Sequence, residues 1–181
     1  KEINRHSLVH TKQHYSEAYQ EYHEFSLSGK NTKKMGYTIL PGTTRNLYKL
    51  TIRNQEDYAD THKIHISINR DIGDMSKAFN IIVPILQKYQ VREFKILNEA
   101  SMETMGNPDG KEFTVYIQQH ISAAQESKPE FWTKTVFPEI VSALQKAGFR
   151  PGHPSSVDDA ISGTSSYIYF RTPHNITNRY I

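Results

Sequence analysis

Five polar side chains recur at alternate positions within short segments that are otherwise rich in Ile, Val and Phe. They are Lys63, His65, Lys95, Tyr116 and Arg171. Ammonium, guanidinium and imidazole groups that converge on one surface attract anions and donate charge-assisted hydrogen bonds to them. Since we expect no carboxylate in the same phase on these segments, the set predicts a concentrated anion site. The pattern by itself leaves open which anion is bound.

The alternation predicts β-strands, because successive strand residues point to opposite faces of a sheet. In segment 63–69, three isoleucines alternate with Lys63, His65 and two other polar residues. Segments 46–53, 93–97, 112–118 and 166–171 alternate in a similar way. If these strands share one sheet, the five polar side chains lie together on a solvent-facing surface. Tyr167 and Tyr169 are then expected to add aromatic walls to that surface.

Apolar residues at three-to-four spacing predict two helices, over 74–90 and 129–147. Pro84 is expected to kink or break the first, and Pro138 to disturb the second. Strands 46–53 and 63–69 are too close in sequence for a helical crossover between parallel strands. We therefore expect an α+β fold with a single domain, whose sheet is mixed or mainly antiparallel and carries the helices on one face.

The first part of the chain has a different composition, with many His, Tyr, Glu and Gln residues and few aliphatic ones. We expect residues 1–35 to form a peripheral unit, with a helix over 5–25 and a polar loop over 26–34. Residues 36–181 then form the α+β domain that carries the anion site.

The composition excludes several classes of function. The 181 residues include no cysteine, which removes disulfide frameworks, thiol catalysis and cysteine-based zinc sites. The net charge of +3 comes from acids and bases that are interspersed, which argues against a nucleic-acid partner. The longest apolar stretch, 81–86, is far shorter than the roughly 20 residues of a membrane-spanning helix.

Known site motifs give no competing prediction. His62 and His65 are three residues apart on a predicted strand, so they point to opposite faces and cannot share a metal ion. We therefore assign no metal ligands. The chain also contains neither a glycine-rich phosphate loop nor the serine elbow of hydrolases.

An ordered set of motifs, spread over about 36–171, resembles the phosphothreonine lyase family of bacterial type III effectors. The motifs are KIHISI at 63–68, AF at 78–79 with Pro84, FKI at 94–96, EFTVYI at 112–117, the turn at 154–158 and YIYFR at 167–171. The family has W-K-V, Q-F-T-L-Y-I, P-E-S-D and Y-V-S-Y-R at the last four places. The resemblance implies a lyase that acts by β-elimination without a cofactor, removing phosphate from a phosphothreonine and leaving dehydrobutyrine.

The resemblance also implies roles for individual residues. Lys95 would be the base that takes the Cα proton, and His65 the acid that protonates the departing phosphate. Lys63 and Arg171 would hold the phosphate, and Tyr116 would support the pocket.

The family has two further arginines for which this sequence offers only substitutes. Gly106 stands where the family has a loop arginine, and Lys111 is the nearest base. Arg179 is an approximate counterpart of the second C-terminal arginine. Lys111 and Arg179 complete the predicted phosphate-binding set as substitutes for these two arginines. Lys111 would bind phosphate differently, because an arginine can form two parallel hydrogen bonds whereas a lysine acts as a point charge.

The implied partner is a host phosphoprotein, namely a mitogen-activated protein kinase, met in the host cytoplasm or nucleus after secretion from the bacterium. Two other functions stay open for the same pocket. A diverged enzyme could use it for another anion, such as the pyrophosphate of NAD in ADP-ribosyl transfer. A non-catalytic protein could bind a phosphorylated partner without changing it.

Overall fold

The computed structural model of the chain describes residues 32–34, 37–40, 45–49, 62–69, 75–97, 109–117, 128–155 and 158–171. The strands are β1 (Thr32–Lys34), β2 (Tyr37–Leu40), β3 (Arg45–Lys49), β4 (His62–Ile66), β5 (Glu93–Leu97), β6 (Phe113–Ile117), β7 (Asp159–Ala160) and β8 (Ile168–Arg171). The helices are α1 (Met75–Lys88), a π-helical turn (Phe131–Val136) and α2 (Phe137–Lys146). The predicted helix over 5–25 lies outside the described residues.

The eight strands form one sheet in the order β1-β2-β3-β5-β6-β4-β8-β7. Each described pair of neighbours is antiparallel, which confirms the predicted α+β class. β4 lies between β6 and β8, so a strand from the middle of the chain pairs with two strands that come much later in sequence. This insertion brings the distant polar motifs together.

The core lies between the sheet and the two helices. The apolar phase of the strands supplies one side of it through Ile64, Ile66, Phe94, Ile96, Phe113, Val115, Ile117 and Ile168. Helix α1 adds Phe79, Ile82 and Leu86, and α2 adds Ile140 and Leu144. Because these residues form a single buried cluster, the helices cover one face of the sheet and leave the polar phase on the other.

The two prolines affect the helices differently. Pro84 is expected to kink or break α1, and the helix continues through it without a break. Pro84 is exposed, and the carbonyl that loses its hydrogen bond is that of the exposed Asn80. In the second helix, the N–H of Phe137 donates to the carbonyl of Trp132, five residues back. Pro138 follows immediately and has no N–H, so the change from π to α hydrogen bonding occurs where the ladder is already interrupted.

Two segments differ from the sequence prediction. Thr32–Lys34 is a strand paired with β2, so the loop predicted over 26–34 is wrong at its end. Tyr167 precedes β8 and belongs to the buried core, where its hydroxyl donates to the carbonyl of Phe149. It is therefore a core residue and not a wall of the polar face.

Candidate active site

Two rows of side chains cross the sheet on the face opposite the helices, and together we call them the polar face. Antiparallel register places residues of neighbouring strands directly opposite each other, with their side chains on the same side. The first row contains Tyr116, Lys63 and Arg171. The second contains Lys95, Thr114, His65 and Tyr169. All five residues singled out in the sequence for anion chemistry therefore lie within two adjacent rows.

The polar face is more buried than the sequence analysis expects. His65, Thr114, Tyr116, Tyr169 and Arg171 each expose at most 6% of their surface, and the two lysines are partly buried. The expectation of a solvent-facing surface is therefore wrong. Since charges interact more strongly away from bulk water, burial makes the ionic contacts on this face stronger than they would be on an open sheet.

A buried carboxylate joins the two basic residues at the β4–β8 end of the polar face. The side chain of Asp158 is fully buried and forms a short hydrogen bond with Nδ1 of His65. The Arg171 Nε donates to the other carboxylate oxygen at 2.7 Å, and its Nη2 donates to Oγ of Ser155 at 2.8 Å. Asp158 thus fixes the planes of both the imidazole and the guanidinium.

Opposing effects set the protonation of His65. Burial is the largest and lowers its pKa below the ordinary 6.5, while the hydrogen bond and charge of Asp158 raise it. The positive charges of Arg171 and Lys63 lower it further. The net lowered pKa favours the neutral imidazole, with Nδ1 donating to Asp158 and Nε2 left as the nitrogen that can accept a proton.

Tyr116 lies between the two lysines of the polar face. Its ring centroid is 5.3 Å from Nζ of Lys95 and 5.9 Å from Nζ of Lys63. Both distances allow a cation–π attraction when the lysine is protonated, and the contact orients the side chain over the ring. The ring therefore positions two lysine side chains that flank the centre of the face.

Two glycines hold the segment that carries Ser155 against the sheet. A Cβ on Gly110, whose φ is +77°, would lie 2.3 Å from the backbone nitrogen of Ser155. A Cβ on Gly152 would lie 2.5 Å from the carbonyl oxygen of Ile68. The hydroxyl of Ser67 adds a hydrogen bond to the carbonyl of His153 at 3.1 Å. These close contacts hold residues 152–155 in place, and Asp158 follows three residues after Ser155.

Three acidic members of this face were not predicted from the sequence. Asp158 had no predicted role, although the residue ends the turn at 154–158 that carries part of the family resemblance. The expectation that no carboxylate shares the phase is also wrong. Glu93 alternates with Lys95 on β5, Glu112 alternates with Thr114 at the start of β6, and both are buried. Both acids were visible as strand-phase positions in the sequence.

The two substitute bases are placed differently. Lys111 is partly buried and follows the turn at Gly110, next to the segment that holds Ser155, so it borders the site without belonging to either row. Arg179 lies outside the described residues. Within the described ranges, no group of three His, Asp or Glu side chains could hold a metal ion. No helix in the same part of the chain is long and apolar enough to cross a membrane.

Known structures share this fold. The chain superimposes on SpvC, a phosphothreonine lyase effector from Salmonella, with a TM-score of 0.62 and 16% identity over 96% of this chain and 95% of that one. For the type III effector and phosphothreonine lyase OspF from Shigella flexneri, the TM-score is 0.59 with 17% identity, covering 87% and 80% of the two chains. The Chromobacterium violaceum VirA effector gives 0.56 and 18%, covering 79% and 68%.

No family model and no curated protein sequence matches the chain. The resemblance seen in the motifs is thus confirmed at the level of the fold, which is that of the phosphothreonine lyase effectors in a diverged form.

Proposed function

We propose that the chain is a phosphothreonine lyase that removes phosphate from a phosphothreonine by β-elimination without a cofactor. One observation carries the proposal. Lys95 and His65 lie in one row of the polar face, separated by a single residue, and His65 is held by a buried carboxylate. A base and an acid on one surface are what the removal of a proton from one carbon and of a leaving group from the next requires.

The reaction divides between these two residues. The amine of Lys95 takes the proton from Cα of the phosphothreonine, and the electron pair of the broken C–H bond forms the Cα=Cβ double bond. The Cβ–O bond breaks, its electrons leave with the phosphate, and Nε2 of His65 gives a proton to the departing oxygen. The products are dehydrobutyrine and inorganic phosphate, and no oxidant, metal or water is consumed.

The contact with Asp158 suits His65 to this role. Burial lowers its pKa, so the proton is weakly held in the free protein. A phosphate dianion beside Nε2 would favour the charged imidazolium, and the carboxylate at Nδ1 stabilises that form from the other side. The acid is therefore generated when the phosphorylated substrate enters, and the proton it carries is readily released to the leaving group.

The phosphate would be held at the β4–β8 end of the polar face. Lys63 and Arg171 are neighbours in the first row, beside His65. Arg171 uses Nε and Nη2 for Asp158 and Ser155, which leaves Nη1 to face an anion in a fixed direction. Tyr116 supports the pocket through both lysines, and we propose Lys111 and Arg179 as further phosphate-binding residues.

We further propose that the substrate is a host phosphoprotein, a mitogen-activated protein kinase, and that the chain acts as a secreted bacterial effector in the host cell. The support is the fold shared with OspF, a type III effector, and with SpvC, an effector protein. A cationic pocket on an otherwise mildly charged chain also suits a phosphorylated segment better than a nucleic acid.

Mass spectrometry of a phosphopeptide tests the proposal. A kinase activation-loop peptide with phosphothreonine and phosphotyrosine one residue apart is incubated with the protein in EDTA. We expect loss of the elements of phosphoric acid from the threonine alone. Lys95→Met should abolish this loss, whereas Lys146→Ala, an exposed lysine on α2, should leave it unchanged.

The other outcomes separate the alternatives. A peptide that binds but stays intact would contradict the lyase and favour a phosphoprotein binder. A peptide that neither binds nor reacts, together with thermal stabilisation by NAD, would favour a transferase that uses the same cations. Equal activity in wild type and Lys95→Met would overturn the role given to Lys95.

A further inference from the structure

Thr114 occupies the centre of the polar face. Its backbone pairs with Lys95 on one side and with His65 on the other, so its side chain lies between the proposed base and acid. It exposes only 3% of its surface, and its strand neighbours Phe113 and Val115 point into the core on the opposite side of the sheet.

Sheet geometry determines where the substrate must lie. Neighbouring strands are about 4.8 Å apart, so the backbones of Lys95 and His65 are separated by roughly 10 Å across β6. Cα and the leaving oxygen are only two bonds apart along the Cα–Cβ–O path, and the Cα proton is one bond further away. Both side chains must therefore reach inward over β6, and the reacting carbons lie directly above Thr114.

The charges of the face determine which way the substrate is oriented. Lys63 and Arg171 lie on β4 and β8, so the phosphate lies toward those strands. Cα and the carbonyl group attached to it then lie toward Lys95 on β5. When Cα loses its proton, negative charge spreads onto that carbonyl oxygen, and a hydrogen-bond donor at this place would lower the barrier.

We propose that the hydroxyl of Thr114 is this donor, a further catalytic group that hydrogen-bonds the carbonyl oxygen of the reacting residue as its charge builds up. The inference rests on the proposed elimination. The Cα–H electron pair is delocalised onto the carbonyl oxygen before it forms the Cα=Cβ bond and expels the phosphate. The Thr114 proton stays on its own oxygen throughout, so the balance of the reaction is unchanged.

Two substitutions separate the hydroxyl from the shape of the side chain. Thr114→Val keeps the volume and the β-branch but removes the donor, whereas Thr114→Ser keeps the donor and removes the methyl group. We expect Thr114→Val to lower kcat by about 10²-fold with little change in KM. Thr114→Ser should stay within a few-fold of wild type. Thr133→Val, an exposed threonine in the helical layer, is the matched control.

The isotope effect gives a second readout that a packing defect would not change. With a peptide deuterated at Cα, the rate ratio between protium and deuterium should rise in Thr114→Val, because proton removal becomes slower relative to the other steps. Affinity for a phosphonate peptide, which cannot eliminate, should be the same in wild type and both variants.

Each result has a distinct meaning. Full activity in Thr114→Val, or equal losses in the Val and Ser variants, would overturn the role of the hydroxyl while leaving the lyase intact. A loss of phosphonate affinity as large as the loss in kcat/KM would also overturn it, since the contact would then already be made in the ground state. The last possible result is that wild type binds the phosphonate peptide and yet releases no phosphate from the phosphothreonine peptide. In that case the proposed function fails, and the role of Thr114 fails with it.

Discussion

Replacement of Asp158 by asparagine should lower both the free energy of unfolding and kcat, and the two losses can be measured separately. The carboxylate bonds both His65 and Arg171, and its side chain is fully buried. Asp158→Asn keeps the shape and one acceptor oxygen but leaves the guanidinium of Arg171 buried without its counter-charge. Removing one partner of a buried ion pair costs about 3–5 kcal/mol. Since asparagine can still accept one hydrogen bond, we expect the lower end of that range.

A double-mutant cycle measures the ionic part of this cost. Arg171→Met removes the other charge, and Asp158→Asn combined with Arg171→Met removes both. The double variant should be more stable than the sum of the single costs allows, because no uncompensated charge is left buried. Urea unfolding of the four proteins gives the coupling free energy.

The variants should rank differently in kcat than in the free energy of unfolding. Asp158 raises the pKa of His65 through its hydrogen bond and its charge, so Asp158→Asn should lower that pKa further and leave less imidazolium at neutral pH. By analogy with histidines that lose an orienting carboxylate, we expect kcat to fall by roughly 10³-fold or more. The double variant should regain stability but not activity. Strictly additive stability costs, or an Asp158→Asn protein with wild-type kcat, would refute the reasoning.

Three more predictions concern the pKa of His65, two glycines with positive φ, and the buried hydroxyl of Tyr167. The pKa of His65 is lowered in the folded protein, so as the pH falls the unfolded chain takes up this proton before the folded chain does. The difference in free energy of unfolding between wild type and His65→Gln should therefore shrink as the pH falls below about 6.5. Urea unfolding at several pH values measures this difference, and a constant value would contradict the prediction. Gly148→Ala should cost about 1–2 kcal/mol for its φ of +82° in open space, whereas Gly110→Ala should cost about 1–3 kcal/mol more because its Cβ would meet loop backbone; equal costs would exclude the clash. Tyr167→Phe should cost about 1–3 kcal/mol, as the buried carbonyl of Phe149 loses its donor, and an unchanged midpoint of thermal unfolding would contradict that.

Local periodicity was sufficient to predict the strands and helices that carry the site, but not the short strands β1 and β7. The alternation of Ile64 and Ile66 with Lys63 and His65 is a property of neighbouring residues, and the strand at 62–66 shows it directly. The same argument gave the phase of Lys95, and the amphipathic spacing gave both helices. Where a second local rule competed, the prediction was less accurate. Pro84 argued for a kink or a break, and the apolar stripe around it keeps α1 unbroken against the core.

Which other residues belong to the polar face depends on contacts between residues that are far apart in the sequence. Asp158 bonds a histidine 93 positions earlier, and no periodicity in either segment indicates that pairing. Its position depends on Gly110 and Gly152, which admit the loop to within van der Waals contact of the sheet. The burial of the face was likewise hidden, since alternation shows which side chains share a face but not whether another part of the chain covers it.

The sequence by itself determined which residues form strands and which side chains share a phase, because both follow from the two-residue repeat of an extended backbone. The tertiary structure alone decided that β6 lies between β5 and β4, and therefore that Thr114 lies between Lys95 and His65. Strand order depends on which apolar faces pack best against the helices and on loop closure over long stretches of chain. Those free energies belong to the whole fold and to no single segment.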